Sequence, residues 1–283
     1  MKKVIGITGS TGMVGKKLLS LINKNSYDIN RFKGDIRSKS QVNIWVKNNR
    51  IDYLIHLAAI VPVSQVENNY KKSVMVNYNG TKNIINSINQ NKPKFLKWLF
   101  YSSTAQIYKF SKKKIKESFP KSGTSKYGNI KLNAEKFIMN KIKKNRMVNV
   151  CIGRIFSVTS IDQSLEYFVP SIFKKIKKSK NIFSFPSLNK KRDFIHIEDL
   201  CRSIIHLMKL EYNGTLNIAS GKSHSLNYII KYFCKKFKKR LILIKNKTLN
   251  IDLTADIQKL KKTNFKHKKK IDDILQDYYY AKK

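Results

Sequence analysis

The chain opens on a short apolar run, Val4-Ile5-Gly6-Ile7, and passes through a glycine-rich turn into Lys16-Lys17-Leu18-Leu19-Ser20-Leu21-Ile22, where apolar positions recur at helical spacing. That change of period repeats along the first half. Apolar runs predict strands over Val4–Thr8, Asp28–Phe32, Tyr53–Leu57, Leu96–Ser102, Val148–Arg154 and Thr215–Ala219. Helical periods predict helices over Gly15–Asn23, Ser40–Lys47, Tyr70–Gln90 and Lys126–Lys143. Strands alternating with helices imply an α/β fold with a parallel, doubly wound sheet. After Arg154 the alternation breaks, and no internal repeat or low-complexity linker marks a boundary.

Composition narrows the class. With 283 residues, 41% of them hydrophobic and only 5 prolines, the chain exceeds one average domain and can bury a large core. Cys151, Cys201 and Cys234 are widely spaced and odd in number, which fits neither a zinc site nor a disulfide framework. Reduced thiols in a cytoplasmic protein, with no metal, are the expectation. The longest near-apolar stretch, Tyr53 to Val63, is too short to span a bilayer, and the first apolar run is used by the first strand, so neither membrane segment nor signal peptide is expected.

Charge opens a competing class. There are 59 Lys and Arg against 17 Asp and Glu, a net charge of +42, and such a field attracts nucleic acid. The excess is nearly all lysine, spread from end to end, and runs such as Lys112-Lys113-Lys114 and Lys268-Lys269-Lys270 lack interleaved aromatic platforms. Solvated lysine faces account for it, so no specific nucleic-acid partner is expected. A basic nucleic-acid-binding protein on a retained dinucleotide fold stays as the alternative.

Candidate chemistry lies at two places. In Thr8-Gly9-Ser10-Thr11-Gly12-Met13-Val14-Gly15, Gly9 permits the tight turn, Gly12 lets a pyrophosphate approach N–H groups at a helix start, and Gly15 lets helix and strand pack closely. Strand, glycine turn and helix in that order read as a dinucleotide site. Further on, Tyr127 and Lys131 stand four residues apart and share one face of the predicted helix. A free phenol titrates near pH 10, and a close positive charge lowers that value, so the pair is a ready general acid/base.

The Gly-x-x-Gly-x-x-Gly turn with Tyr-x-x-x-Lys resembles the extended short-chain dehydrogenase/reductases, specifically the NAD-dependent epimerase/dehydratase family that modifies nucleotide-activated sugars. Further segments agree in order along the chain: His56-Leu57-Ala58-Ala59, Val76-Asn77-Tyr78-Asn79-Gly80-Thr81, Ser102 to Tyr108, Arg192 to Leu200, and Asn217-Ile218-Ala219-Ser220-Gly221. The resemblance implies a Rossmann-type cofactor domain over 1–158, to which 193–221 returns. A smaller mixed α/β substrate domain follows over 159–192 and 222–283. It also implies Thr104, Tyr127, Lys131 and Asn77 as catalytic residues. Thr104, with Ser103 as the second choice, would hydrogen-bond the substrate oxygen that Tyr127 protonates. Lys131 would bridge the nicotinamide ribose hydroxyls, and Asn77 would hold a water beside it. Gly9, Thr11, Gly12, Met13, Val14, Gly15, Ile36, Leu57, Ala58 and Ala59 would line the cofactor, Asp35 would meet its adenine, and Arg192 would grip the substrate pyrophosphate. For Arg192 the plainer alternative is an ion pair with Asp193.

Cofactor choice rests on the end of the second strand, Asn30-Arg31-Phe32-Lys33, which has two cations and no carboxylate. Arg31 or Lys33 can meet a 2′-phosphate, which favours NADP over NAD. Reaction type is narrowed by an absence. The 4,6-dehydratases of the family carry an acidic residue after the catalytic Thr, and here Ala105 and Gln106 follow. Dehydration is therefore disfavoured; reduction of a 4-keto sugar is the first reading and C4 epimerisation the second, with cell-surface polysaccharide synthesis as the expected setting. The segment Arg154-Ile155-Phe156-Ser157-Val158-Thr159-Ser160 departs from the family's Arg-x-Phe-Asn-x-x-Gly-Pro, so its usual substrate contacts are not carried over. The expected partners are a nucleotide sugar and a second copy of the chain.

Overall fold

The computed structural model describes residues 1–142, 148–188, 190–245 and 252–281. The first half runs β1 (Lys3–Thr8), α1 (Met13–Leu21), β2 (Tyr27–Arg31), α2 (Lys39–Asn48), β3 (Tyr53–His56), α3 (Val63–Asn68), α4 (Tyr70–Val74), α5 (Gly80–Asn91), β4 (Trp98–Thr104) and α6 (Lys126–Ile142). Then follow β5 (Asn149–Ile155), β6 (Ser157–Thr159), α7 (Phe168–Lys178), β7 (Ile182–Pro186), β8 (Lys191–His196), α8 (Ile197–Lys209) and β9 (Gly214–Ile218). The chain continues through β10 (Ser223–Ser225), α9 (Leu226–Lys236), β11 (Arg240–Ile244), α10 (Gln258–Lys262) and α11 (Ile271–Ala281).

The six predicted strands form one sheet in the order β2-β1-β3-β4-β5-β9. The pairs β1–β2, β1–β3, β3–β4 and β4–β5 are all parallel, so the doubly wound reading holds. All four residues of β3 are buried, as a strand covered on both faces requires. Val42 and Trp45 from α2, Ile84, Ile85 and Ile88 from α5, and Ala134 and Ile138 from α6 cover one face against Leu54, Leu99 and Ile152. Each isoleucine so buried contributes about 1.5–3 kcal/mol. Because the chain leaves β1 for β2 on one side and returns to β3 on the other, the order reverses between β1 and β3. A crevice opens at the carboxyl ends of strands at such a point.

One predicted helix differs. Tyr70–Gln90 is interrupted between α4 and α5 by a π-helical turn over Met75–Asn79. The cause is tertiary: the turn carries Asn77, whose amide oxygen accepts the Ile60 N–H at 2.7 Å and whose Nδ2 donates to the Ile60 carbonyl at 2.8 Å. Such wide turns recur where function needs a side chain re-aimed. The predicted end of the fourth helix, Lys143, lies outside the described residues.

Two compact units divide the chain. The first, Met1–Lys109, Glu117–Ile155 and Cys201–Asn217, carries the large sheet. The second comprises Phe110–Lys116, Phe156–Leu200 and Ile218–Lys283. Its core is more aromatic: Phe173 of α7 meets Phe233 of α9 edge-on at 5.1 Å, and Tyr278 of α11 joins them. Its sheets are small, β10-β8-β6 and the parallel pair β11-β7.

Candidate active site

Backbone conformation builds the first part of the site. Gly9 has φ +73°, and a Cβ there would stand 2.6 Å from the Ala58 nitrogen and 2.7 Å from the Leu57 carbonyl carbon, so only glycine lets β1 and the end of β3 touch. A Cβ on Gly15 would meet the Gly9 oxygen at 2.4 Å, which fixes α1 against the turn. Gly12 differs, for a Cβ there would meet only the Gly9 oxygen, at 3.5 Å. Gly12 is also the N-cap of α1, and no side chain caps the helix start. The orphan N–H groups and the positive end of the helix dipole, beside an open glycine, fit a pyrophosphate. Thr11 is exposed, and Met13 and Val14 form the partly buried first turn of α1.

Behind this turn runs a buried chain of neutral groups. Thr81 Oγ1 donates to the Asn77 carbonyl at 2.7 Å and so accepts, at 3.0 Å, from a protonated His56 Nε2. His56 Nδ1 then accepts from the Thr8 hydroxyl at 2.6 Å, and Thr8 Oγ1 accepts the Ala58 N–H at 3.3 Å. Burial, aided by the nearby Lys131 charge, pushes the His56 pKa down to about 3. The imidazole is a neutral strut between the strand that leads into the glycine turn and the helix that carries Asn77.

The second part of the site joins the end of β4 to α6. Thr104 begins a tight turn over Ala105–Ile107, and its Oγ1 accepts the Gln106 N–H at 3.3 Å. Ser125 accepts the Gly128 N–H at 3.0 Å at the start of α6 and donates to Gln106 Oε1 at 2.6 Å. A Cβ on Gly128 would lie 2.2 Å from the Gln106 carbonyl oxygen, so this glycine brings the Thr104 turn against the helix beside Tyr127. Tyr127 is buried and packs with Val66 and Ile130, against partly buried Ile60 and Tyr78 from either side of Asn77. Thr104, Tyr127, Lys131 and Asn77 therefore belong to one neighbourhood. The Asn77 side-chain amide, which the resemblance assigns to a water, exchanges two hydrogen bonds with the Ile60 backbone.

Tyr127, Lys131 and Glu135 follow at four-residue intervals on α6, and the last two are 3% and 4% exposed. The Lys131 ammonium lies 4.2 Å from the centroid of the Tyr101 ring. Burial lowers the Lys131 pKa to about 7, and Glu135 opposes that shift. Glu135 itself accepts from Arg154 Nη2 at 2.8 Å and Nε at 3.1 Å, and from the Ser103 hydroxyl. Arg154 also donates to the Tyr108 hydroxyl at 2.8 Å and the Glu117 carbonyl at 2.7 Å, and Tyr108 donates to Asn217 Oδ1 at 2.7 Å. Burial opposes the Arg154 charge, yet Glu135 and Tyr108 hold its pKa above the usual value. Ser103 thus faces Glu135, while its neighbour Thr104 opens the turn toward α6.

Other expected residues fall elsewhere. Arg31 ends β2 and is exposed, as is Lys33. Asp35 is gripped by Arg37 through Nε at 2.9 Å and Nη2 at 2.6 Å, which holds its carboxyl below the usual value. Ile36 is buried against Gly80, with its carbonyl held by Asn83 at 3.0 Å. Leu57, Ala58 and Ala59 are partly buried after β3. Arg192 lies on β8 in the second unit, where burial lowers its pKa against the pull of Asp252, and it donates to the Lys191 carbonyl at 3.0 Å. Asp193 instead accepts from Ser220 Oγ at 2.6 Å, Gly221 N–H at 3.0 Å and Ala255 N–H at 3.2 Å. Among the described residues no cluster of potential ligands is arranged to hold a metal, and no helix is long and apolar enough to cross a membrane.

Sequence reasoning gave no role to Glu135, Arg154, His56 or Thr81. The four-residue step from Lys131 to Glu135 was a usable signal. The others needed the tertiary fold.

Residues 5–219 match the profile of the NAD dependent epimerase/dehydratase family, and the chain belongs to that family. It is similar to the GDP-6-deoxy-D-talose 4-dehydrogenase of Aggregatibacter actinomycetemcomitans, at 29% identity over 238 residues, covering 81% of this chain and 78% of the relative. Its fold is that of RMD from Pseudomonas aeruginosa complexed with NADPH, with TM-score 0.86, 17% identity, and coverage of 99% of this chain and 100% of that one. The Thermus thermophilus UDP-glucose 4-epimerase complex with NAD gives TM-score 0.82 at 15% identity, with 99% and 100% covered.

Proposed function

We propose that the protein is an NADPH-dependent reductase of a nucleotide-linked 4-keto sugar. The observation that carries this reading is the junction of β4 with α6, where Thr104 and Tyr127 meet through Gln106 and Gly128 and no carboxylate follows Thr104. Gln106 is committed to the Ser125 cap, so the position that serves dehydration in the family's 4,6-dehydratases does structural work. The similarity to a protein named as a 4-dehydrogenase of a GDP-linked 6-deoxysugar supports redox chemistry at C4.

A nicotinamide cofactor held here would provide the redox chemistry, and the chain's own groups do the rest. Backbone N–H groups from Gly12 onward hold the cofactor pyrophosphate. Arg31 and Lys33 would meet a 2′-phosphate in charge-assisted hydrogen bonds. The Thr104 hydroxyl holds the carbonyl oxygen of the substrate, and Tyr127 gives that oxygen its proton. Lys131 keeps positive charge on the same helix face and orients the ribose hydroxyls. Arg192, with its planar fork, binds the substrate pyrophosphate.

The test is twofold. Small molecules released on denaturing the purified protein are identified by mass spectrometry, and NADPH oxidation is followed with GDP-, dTDP- and UDP-linked 4-keto-6-deoxyhexoses. An empty site with NADPH oxidation on one of these sugars is expected. Tightly held NAD, with interconversion of UDP-hexoses and no net NADPH oxidation, transfers the assignment to a C4 epimerase.

A further inference from the structure

We infer that Glu135, shared between Lys131 and Arg154, is the positioning residue that keeps the Lys131 side chain an ammonium in its buried place beside Tyr127. The role of Lys131 rests on the reading above, but the charge relation is independent of the substrate.

The argument begins with what surrounds the amine. Lys131 is 3% exposed, so water does little to hold its charge. The titratable groups that bear on it are Glu135 and Tyr127 on its own helix, His56 on β3 and Tyr101 on β4. His56 is neutral, since its pKa lies near 3. Tyr101 offers its ring face, and burial raises its hydroxyl pKa, so at neutral pH it carries no charge. Glu135 is the sole carboxylate in that set.

Glu135 is fixed as well as charged. Arg154 grips it through two nitrogens and Ser103 donates a third hydrogen bond, so the carboxylate does not swing to Lys131 and form a closed pair. One carboxylate thus serves two buried cationic side chains, holding Arg154 by hydrogen bonds and supporting the Lys131 charge against burial, so one cation is in surplus whenever Lys131 is protonated. Such a surplus cation next to a phenol is what a proton donor with a stabilised phenolate requires. Glu135 therefore acts through Lys131, while Arg154 sets the limit on how far Glu135 neutralises it.

The two partners of the ion pair must then move Lys131 in opposite directions. Glu135→Gln removes the supporting charge and leaves Arg154 as an uncompensated buried cation, so the Lys131 pKa falls by about 1–3 units. Arg154→Met removes a repelling cation and frees Glu135, so the Lys131 pKa rises. The double variant Glu135→Gln/Arg154→Met, which retains a packed and uncharged pair, falls between the two single variants and keeps the question open to measurement if either single variant fails to fold.

The experiment is NMR titration of the full chain labelled with ¹³C at lysine Cε, the Lys131 signal being assigned by its loss in Lys131→Met. The pH–rate profile on the 4-keto sugar that the parent turns over is recorded in parallel, and its alkaline limb is expected to move with the Lys131 titration. Opposite shifts in the two single variants, or a double variant with a Lys131 pKa below the parent and above Glu135→Gln, support the inference. Equal shifts, or none, overturn it, because a merely structural pair destabilises the fold without moving the Lys131 titration. If no nucleotide sugar is turned over, the proposed function fails while the NMR titration still decides the role of Glu135.

Discussion

Two buried polar chains run through the first unit, and they differ in charge. From Ala58 through Thr8 and His56 to Thr81 and Asn77 every group is neutral, and each hydrogen bond has one permitted direction. Around α6, by contrast, Lys131, Glu135 and Arg154 are ionisable groups that are each at most 5% exposed. Neutral chains cost little to bury once every donor is matched, and they hold geometry. Buried charges cost more and are worth keeping only where a charge is used. The first chain locks the loops that surround the glycine turn, and the second lies where the proposed function puts the acid/base chemistry.

The largest expected effect breaks the charged chain. Arg154→Met alone leaves Glu135 buried without its main partner and is expected to destabilise the protein by about 3–5 kcal/mol. The double variant Glu135→Gln/Arg154→Met loses no more than half of that, because no buried carboxylate is left without its guanidinium. Urea unfolding of the three proteins at one pH measures both values. Equal losses in the single and double variants erase the distinction between the two chains.

The neutral chain has its own signature in acid. His56 has a folded-state pKa near 3 against an ordinary value of 6.5, so between those limits the unfolded chain binds more protons. Its contribution to stability is complete above pH 6.5 and is lost as pH falls toward 3. Over the two pH units from 6.5 to 4.5 the parent is expected to lose about 2–3 kcal/mol that His56→Gln does not lose. Parallel stability–pH curves for the two proteins show that the imidazole is not held neutral.

Much of this was legible along the chain. The glycine turn is a local signal, because Gly9, Gly12 and Gly15 meet their constraints within a few residues, and β1 to β5 were found within about two residues. The π-helical turn at Met75–Asn79 was not, since Asn77 reaches back 17 residues to Ile60. Nor was the ion pair, for Arg154 lies on a strand 19 residues beyond Glu135 and only the packing of β5 against α6 joins them. The second unit was the least legible. Its strands β6 and β10 have three residues each, too few to show a period, and its core is assembled from helices far apart in sequence.

A smaller effect sharpens the contrast by using exposed charge. Arg31 and Lys33 are solvated, so their attraction for a 2′-phosphate is screened yet selective. NADPH is expected to bind about ten- to a hundredfold more tightly than NADH, through a contact worth about 1.5–3 kcal/mol. Replacing both residues by alanine removes most of that preference with little change for NADH. Fluorescence titration with the two reduced cofactors reads it directly, and a preference that survives the double substitution assigns it to other groups.

The central claim is that Tyr127 delivers the proton at a sugar carbonyl held beside Thr104, and Tyr127→Phe tests it most directly. The measurement is single-turnover NADPH oxidation on the nucleotide-linked 4-keto sugar, with cofactor affinity determined in the same preparation. The expected result is a rate lower by about 10²–10⁴-fold with NADPH binding nearly unchanged. A rate within a factor of two of the parent contradicts the account.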